Sequence, residues 1–320
     1  MELPLPLRRA VDRELDGVTL ANLAAAAQKL SQRYRDERHD GKFHVVSAQD
    51  ALAYLAVRLP ATYAAVRASF VTVTEARPDF APKTFLDVGA GPGTALWAAA
   101  DCWSTLTDAS LVEASPIFRD YGEKLTANAH LPHAVWRIAD VTGENFDFAQ
   151  SDLVAATYLL NELASDVRPS VLDRLWRATA DTLVIVEPGT PAGWRRILAA
   201  RQQLIENGAH VIAPCAHQHA CPLQAPDWCH FSERVARSRM HRQAKGGEVP
   251  WEDEKFSYVV VTRQPAAGTQ ARVIARPRKG SGRITLKLCR PDGSAGEQLF
   301  SRRDGAPFKR AWRSDWGSVL

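Results

Sequence analysis

Hydrophobic residues in the middle of the chain form short runs separated by longer amphipathic stretches. The runs occupy residues 84–88, 109–113, 134–138, 152–157 and 182–186. Short apolar runs are typical of buried strands, and apolar positions that recur every three to four residues between them indicate helices. Strands that alternate with helices build a parallel sheet with helices on both faces and right-handed connections. The pattern predicts an α/β fold with a Rossmann-like, doubly wound sheet.

The segments on either side follow different patterns. Residues 1–80 carry Ala-rich stretches with helical spacing and predict a helical N-terminal region. The Rossmann-like domain is expected over residues 81–265, with a Cys-rich insertion at 210–231 and two late antiparallel strands that complete its sheet. Residues 266–320 alternate short apolar runs with Gly, Pro and Arg. They predict a small, basic, β-rich C-terminal appendage.

A glycine-rich loop follows the first predicted strand. It contains Asp87, Gly89, Gly91 and Gly93 and opens a predicted helix. Glycines permit a tight turn and close approach of a ligand to the backbone, and a helix N-terminus offers free N–H groups. Glu113 ends the next strand 20 residues after Gly93, where an acid can accept hydrogen bonds from ribose hydroxyls. These features predict a nucleotide-derived cofactor at the loop.

The spacing of the glycines distinguishes two kinds of cofactor. Dinucleotide-binding folds carry Gly-x-Gly-x-x-Gly, whereas this loop has Gly-x-Gly-x-Gly preceded by Asp87. The loop resembles that of class I methyltransferases, and the resemblance implies S-adenosylmethionine. In that class the loop wraps the amino-acid part of the cofactor. An acid at the position of Glu113 holds the ribose, and one at the position of Asp140 lies near the adenine. The alternative is a structural glycine turn in an inert Rossmann domain.

Candidate catalytic residues are few. Asn161 and Glu162 follow the fourth predicted strand, where they can position a substrate or simply cap the next helix. The sequence lacks the Asn/Asp-Pro-Pro-aromatic motif of amino-directed base methyltransferases. Cys102 lies in an apolar helical stretch and is expected to be a buried thiol rather than the nucleophile of cytosine C5 methylation. Methyl transfer from a sulfonium can proceed through proximity and alignment, so an enzyme needs no evident general base.

Four cysteines form a candidate metal site. Cys215, Cys221 and Cys229 follow the spacing C-x5-C-x7-C, and Cys289 lies 60 residues further on. Clustered cysteines in a cytosolic chain indicate metal binding before disulfides. Four thiolates suit a [4Fe–4S] cluster or a tetrahedral zinc ion, and the spacing leaves both open. Three histidines are alternative ligands for zinc: His217, His219 and His230.

The charge of the chain is unevenly distributed. The net charge is +4, but residues 195–320 hold 22 Lys and Arg against 11 Asp and Glu, which gives +11 there and −7 elsewhere. Such asymmetry indicates a polyanionic partner. The candidate RNA-binding residues are Arg276, Arg278, Lys279 and Arg283. Further cations, interleaved with aromatic residues, are Arg302, Arg303, Phe308, Lys309, Arg310, Trp312, Arg313 and Trp316. Cations neutralise phosphates and aromatics stack on unpaired bases; a solvated basic surface is the alternative.

Targeting and membrane signals are not evident in the sequence. No run approaches the roughly 18–20 apolar residues of a membrane span, and the first residues lack the order of a signal or transit peptide. We expect a cytoplasmic monomer with no membrane partner.

Several short motifs occur together. They are Pro214–Pro222 with the pattern Pro-Cys-x5-Cys-Pro, Trp228–Phe231, Glu187–Pro191 and Arg276–Lys279. The combination resembles the small-ribosomal-subunit methyltransferase-like family, the bacterial relatives of a mitochondrial ribosome-assembly factor. The likeness extends over residues 54–317 and therefore covers most of the chain.

The family resemblance carries three expectations. It implies binding of S-adenosylmethionine, a [4Fe–4S] cluster on the four cysteines, and association with small-subunit ribosomal RNA during assembly. Because Cys289 lies beyond the last core strand, such a cluster would tie the C-terminal appendage to the core. Three functions remain open: an RNA methyltransferase that acts on the small subunit, an assembly factor that binds cofactor and RNA without methyl transfer, and a small-molecule methyltransferase with structural zinc.

Overall fold

A mixed sheet is the central element of the computed structural model, which describes residues 1–35, 45–127, 129–143, 147–265 and 270–320. Within them the sheet has eight strands in the order β3-β2-β1-β4-β5-β8-β6, and β7 pairs with β8. The strands are β1 Thr84–Val88, β2 Asp108–Glu113, β3 His133–Ile138, β4 Ser151–Thr157, β5 Thr179–Pro188, β6 His210–Ala213, β7 Phe231–Ala236 and β8 Trp251–Thr262. Strands β1 to β5 are parallel, and β8 runs antiparallel to its neighbours. The predicted Rossmann-like fold is confirmed.

Helices cover both faces of this sheet. They are α5 Thr94–Cys102, α6 Pro116–Thr126, α7 Arg168–Ala178 and α8 Pro191–Glu206. Two of them begin in the same way: Ser115 and Thr190 accept hydrogen bonds from the first helical turn, and a proline occupies the next position. These caps satisfy otherwise unpaired N–H groups, and proline fits there because its missing N–H would have no helical partner. The helices therefore start close to the carboxyl ends of the parallel strands, where the predicted site lies.

The N-terminal region packs against the same sheet. Its described part contains α1 Leu5–Glu14, α2 Leu20–Arg35, α3 Ala48–Val57 and α4 Leu59–Ala76. Residues of α3 and α4 are largely buried in a core shared with α5 and with strands β1 and β8. No described helix is both long and apolar enough to span a membrane.

A second, smaller sheet occupies the C-terminal segment. Within residues 270–320 it has four strands, β9 Arg272–Val273, β10 Arg278–Gly280, β11 Arg283–Cys289 and β12 Ala295–Ser301. Its apolar face forms a core of its own, built from Val273, Ile284, Leu286, Leu288, Phe300 and Ala311. The segment ends with a short 3-10 turn, η1 Arg302–Asp304, and the helix α10 Ala306–Arg313.

Several short elements were not predicted, among them α9 Arg239–Ala244, α10 and β6. Helices α9 and α10 are six and eight residues long, too short for a reliable hydrophobic period. Strand β6 lies inside the predicted Cys-rich insertion and adds to the outer edge of β8. Tertiary packing, rather than local pattern, accounts for these elements: α9 packs against α2 and α3, and α10 packs against the small sheet.

Candidate cofactor site and cysteine cluster

The glycine loop makes a sharp turn between β1 and α5. The amides of Gly89 and Ala90 both donate to the carbonyl oxygen of Val112, at 2.9 and 3.1 Å, which holds the loop against the end of β2. The three predicted glycines all have positive φ: +73° at Gly89, +53° at Gly91 and +77° at Gly93. Glycine populates this region far more readily than residues with a side chain. The loop conformation therefore explains why glycine stands at these three positions.

The surroundings of the three glycines differ. A methyl group on Gly89 would meet Leu159 Cδ1 at 2.9 Å, and one on Gly93 would meet the Trp136 ring at 3.3 Å. A methyl group on Gly91 would meet no described atom within 4 Å. Gly89 and Gly93 thus serve close packing, whereas Gly91 presents bare backbone to open space. A ligand can approach the loop there.

Asp87 is fully buried at the end of β1. Neither of its carboxylate oxygens has a hydrogen-bond partner among the described residues. Burial, with the nearby Glu113 carboxylate as a second cause, raises the pKa of Asp87 to about 8. A buried acceptor without a partner costs free energy, which a ligand with positive charge or N–H donors would remove.

Glu113 connects the glycine loop to the next helix. Its Oε2 accepts a hydrogen bond from the Gly91 amide at 2.7 Å, and its Oε1 accepts one from the Ser115 amide at 2.7 Å. Burial raises the pKa of this carboxyl, and the backbone donors partly oppose the shift. The carboxylate is therefore fixed at the end of β2, in the position predicted for a ribose-binding acid.

Asp140 lies just beyond the end of β3 and is exposed. Its Oδ1 accepts hydrogen bonds from the Thr142 amide and the Thr142 hydroxyl, both at 2.8 Å. These contacts stabilise a local turn. Its role near an adenine stays a prediction.

Asn161 and Glu162, which follow β4, lie near further polar side chains at the strand ends. The amide of Asn161 donates to Glu187 Oε1 at 3.3 Å, while the side-chain oxygen of Asn161 is buried without a partner among the described residues. Desolvation and the carboxylates of Glu113 and Glu187 raise the pKa of Glu162 to about 8. Glu162 is exposed to solvent. Its carboxyl therefore lies in an opening at the surface, with protein atoms around its other sides. Catalytic roles for Asn161 and Glu162 stay predictions.

Sequence reasoning missed two further residues in this region. Glu187 is fully buried at the end of β5 and pairs with the Arg196 guanidinium at 2.6 Å. Tyr158 has a φ of +56°, the one positive value among the described non-glycine residues, and its hydroxyl donates to Glu254 at 3.0 Å. Glu187 was identifiable in principle, because ligands of open α/β sheets bind at the carboxyl ends of the strands. The conformation of Tyr158 has no signal in the sequence.

The four predicted cysteines line one cavity. It lies between α8, β8 and the end of β11, and Cys215, Cys221, Cys229 and Cys289 all contribute to its wall. Burial raises the pKa of each thiol, and at Cys229 the other three thiols add to the increase. The fold therefore brings Cys289 to the other three despite the 60 intervening residues.

The cysteine cavity contains thiols that could bind a metal, but they are not arranged around a single point. Among the described residues, no three His, Cys, Asp or Glu side chains are placed to hold a metal ion. A tetrahedral zinc ion, with Zn–S bonds of about 2.3 Å, needs sulfurs about 3.8 Å apart. A four-iron cluster holds its ligands further apart, because each cysteine binds a different iron. The donor chemistry fits a thiolate-bound centre, and neither metal is shown.

Two buried arginines lie beside the thiols. Arg201 and Arg272 are 2% and 5% exposed. Arg201 donates to the carbonyl oxygens of His217 and His219, and Arg272 to those of Pro214 and Gly317. In the part of the chain that the structure describes, neither guanidinium has a carboxylate partner, and Arg201 Nε is unpaired. Buried charges are normally compensated, so a negatively charged centre in this cavity suits both arginines.

The predicted RNA-binding residues lie on or beside the small sheet. Arg278 in β10 forms an ion pair with Glu297 in β12. The Arg276 guanidinium lies 3.8 Å from the Asp253 carboxylate. The Lys279 ammonium lies 5.4 Å from the Trp312 ring centroid. Arg283 is exposed at the start of β11. Their RNA-binding role stays a prediction.

The sheet order and the loop define the class. A parallel sheet in the order β3-β2-β1-β4-β5, an antiparallel β8 between β5 and β6, and a glycine loop after β1 constitute the class I methyltransferase fold. The chain belongs to the mitochondrial small ribosomal subunit Rsm22 family, whose model matches residues 48–320. The family resemblance seen in the sequence is thereby confirmed.

The chain also matches individual proteins, at moderate to low sequence identity. The human protein "Ribosome assembly protein METTL17, mitochondrial" is 31% identical over 291 residues, which cover 84% of this chain but 62% of the human protein. Magnesium protoporphyrin IX methyltransferase from Synechocystis PCC 6803, crystallised with bound SAH, is 12% identical. The match covers 73% of this chain and 94% of that chain, with a TM-score of 0.41. Precorrin-6y C5,15-methyltransferase from Geobacter metallireducens GS-15 is 13% identical over 62% and 88% of the two chains, also with a TM-score of 0.41.

Proposed function

We propose that this protein binds S-adenosylmethionine and acts on the small ribosomal subunit during its assembly, as a methyltransferase of the subunit's RNA. Membership of the small-subunit family carries the proposal, and the assembly role named for the human relative agrees with it. The basic C-terminal segment supplies the charge that an RNA partner requires.

S-adenosylmethionine suits the residues around the glycine loop. Its ammonium and sulfonium groups are cationic, and the buried carboxylate of Asp87 lacks any partner among the described residues. The open space beside Gly91 allows the ligand to approach the backbone. Glu113 is fixed at the end of β2, where its remaining lone pairs can accept from ribose hydroxyls. The cofactor supplies an activated methyl group.

The chain's own contribution to methyl transfer is orientation and desolvation. Asn161 and Glu162 follow β4, next to the opening above the strand ends, where they can orient an acceptor base. Transfer from a sulfonium gains most from alignment of the two reacting atoms. A base accepting the methyl group would lose its proton to water or to Glu162, which can accept a proton in its ionised form, at a pH near or above its pKa of about 8.

A [4Fe–4S] cluster on Cys215, Cys221, Cys229 and Cys289 is part of the proposal. The four thiols share one cavity with two buried arginines. Four thiolates around a cluster core of charge +2 leave a net charge of −2, which the two guanidiniums balance. Zinc with four thiolates has the same net charge, so iron analysis and the absorption spectrum of anaerobically purified protein distinguish the two metals.

A second function is an assembly factor that binds cofactor and RNA without methyl transfer. One observation favours it: several polar groups near the strand ends are engaged in structural contacts, Glu187 with Arg196 and Tyr158 with Glu254. Such groups are not free to assist chemistry.

One experiment separates the two functions. Small subunits from cells lacking this protein are incubated with anaerobically purified protein and methyl-labelled S-adenosylmethionine, and the RNA is analysed for label. Label at one nucleotide establishes the methyltransferase and identifies its substrate. Stable binding to the subunits without label establishes the assembly factor, and no binding to the subunits overturns both.

A further inference from the structure

We propose that the RNA contact is made by helix α10 and the η1 turn before it, and that Trp312 stacks on an unpaired base. The inference rests on the proposed RNA-binding function. It names the surface responsible and the form of RNA that the surface takes, single-stranded rather than duplex.

Ion pairs divide the C-terminal cations into two sets. Arg276 and Arg278 face the carboxylates of Asp253 and Glu297. A second set has no carboxylate within ion-pair distance among the described residues, and every member is exposed: Lys279, Arg283, Arg302, Arg303, Lys309, Arg310 and Arg313. Affinity for RNA comes from neutralised phosphates and released counterions, to which uncompensated cations contribute most. We call this second set the unpaired basic surface.

The unpaired basic surface is continuous. The amide of Arg302 donates to the carbonyl oxygen of Gly282 at 3.1 Å, which places η1 beside the β10–β11 turn and Arg283. Helix α10 follows after one residue and packs Phe308 and Ala311 onto the small sheet. With 3.6 residues per turn, Lys309, Arg310 and Arg313 lie on the opposite side of the helix. The two turns of α10 thus present their cations outward, next to those of η1.

Trp312 lies at the edge of the unpaired basic surface. Its side chain is 39% exposed, although it belongs to a residue type that folding normally buries. One part of the ring contacts Phe308 at a centroid distance of 5.4 Å, and the Lys279 ammonium lies 5.4 Å from the ring centroid. An exposed indole surrounded by cations is the arrangement that binds single-stranded nucleic acid, through stacking and phosphate contacts. Duplex RNA keeps its bases stacked internally and offers none to the ring.

The test compares matched variants of the full chain. Binding of a labelled 12-nucleotide single-stranded RNA and of a blunt-ended RNA duplex of the same length is measured by fluorescence anisotropy at several salt concentrations. The variant R310Q/R313Q removes two unpaired charges, and the control R276Q/R278Q removes two paired charges. All four side chains are exposed, so both variants are expected to fold, which circular dichroism verifies.

The expected results are specific. R310Q/R313Q weakens binding of the single strand about tenfold and lowers the slope of log affinity against log salt by about 1.4, since each phosphate contact contributes about 0.7. The control changes the slope by less than half as much. W312L weakens binding at least about fivefold, W312F restores part of it, and the unsubstituted protein prefers the single strand to the duplex.

Other outcomes overturn the inference in distinguishable ways. Equal losses from the two double variants would remove α10 as the contact while leaving RNA binding, and hence the proposed function, intact. Full affinity in W312L, or equal affinity for the duplex, would remove the stacking role. If the unsubstituted protein bound neither the single strand nor small subunits, the proposed function would fail together with the inference. Binding to phosphatidylserine vesicles but not to RNA, lost in R310Q/R313Q, would assign the surface to a membrane instead.

Discussion

The amide of Gly91 donates a hydrogen bond to the carboxylate of Glu113 at 2.7 Å and so joins the glycine loop to the end of the neighbouring strand. This contact fixes the loop on one side, while the other side of Gly91 is open. The same short segment therefore combines a rigid frame with a free backbone surface. Cofactor binding should be sensitive to any group placed there.

We expect Gly91→Ala to bind the cofactor more weakly, while its loss of folding stability is no larger than that of a control substitution. Its methyl group would enter the open space beside the loop, where a ligand approaches. Gly208→Ala is a matched control, because Gly208 also has positive φ, +80°, and no described atom within 4 Å of an added methyl group. Both variants should lose about 1 kcal/mol of stability from backbone strain. Calorimetric titration with S-adenosylmethionine should show at least tenfold weaker binding for Gly91→Ala alone.

Asp87→Asn should stabilise the ligand-free protein at alkaline pH. The folded-state pKa of Asp87 is raised to about 8 from an ordinary value of 3.8, chiefly by burial. Its contribution to stability is therefore fully present below about pH 4 and is lost as the pH rises through 8. Asparagine has no such titration, so the variant's advantage should grow between pH 5 and pH 8, by an amount on the order of a few kcal/mol. Urea unfolding at both pH values measures it.

The same substitution should abolish the stabilisation that S-adenosylmethionine confers. An amide cannot compensate the positive groups of the ligand, so the ligand-induced shift in Tm at pH 8 should disappear in Asp87→Asn. An advantage that stays constant between pH 5 and pH 8 would show that Asp87 does not titrate in this range. A retained ligand shift would exclude Asp87 from the cofactor site.

Cys289→Ser should lower the iron content and release the C-terminal sheet. Cys289 ends β11 and lies in a small apolar cluster with Ala216 and Ile274, next to the other cavity thiols. Metal-binding free energy at this junction would be folding free energy, so the variant's Tm should fall. Cys102→Ser is the matched control, because Cys102 lies in α5 and takes no part in the cavity wall. Iron analysis and melting curves that match for Cys289→Ser and the unsubstituted protein would exclude Cys289 as a ligand.

The features that could be predicted from the sequence differ from site to site. Helix α5 begins directly after the glycine loop, as the sequence predicts, because the loop marks its start and its apolar period is regular. The eight-residue α10 has only two core-facing positions, Phe308 and Ala311, which is too little pattern to predict a helix. Asp87 lacks a hydrogen-bond partner among the described residues, and Arg201 is buried, because of side chains that are distant in sequence. No local pattern could predict either feature. Patterns along the chain identified the chemical groups, and tertiary packing decides which of them are compensated.

Arg201 provides the most direct test of charge compensation at the cysteine cavity. This guanidinium is 2% exposed and is held by the carbonyl oxygens of His217 and His219. If a thiolate-bound centre of net charge −2 occupies the cavity, Arg201 and Arg272 supply its two compensating charges. Arg201→Met should then reduce iron content at least severalfold, whereas Arg201→Lys, which keeps the charge, should retain most of it. Arg195→Met is the control, because Arg195 is exposed on the same helix. Iron bound equally by Arg201→Met and Arg201→Lys would mean that packing around the arginine, rather than its charge, maintains the cavity.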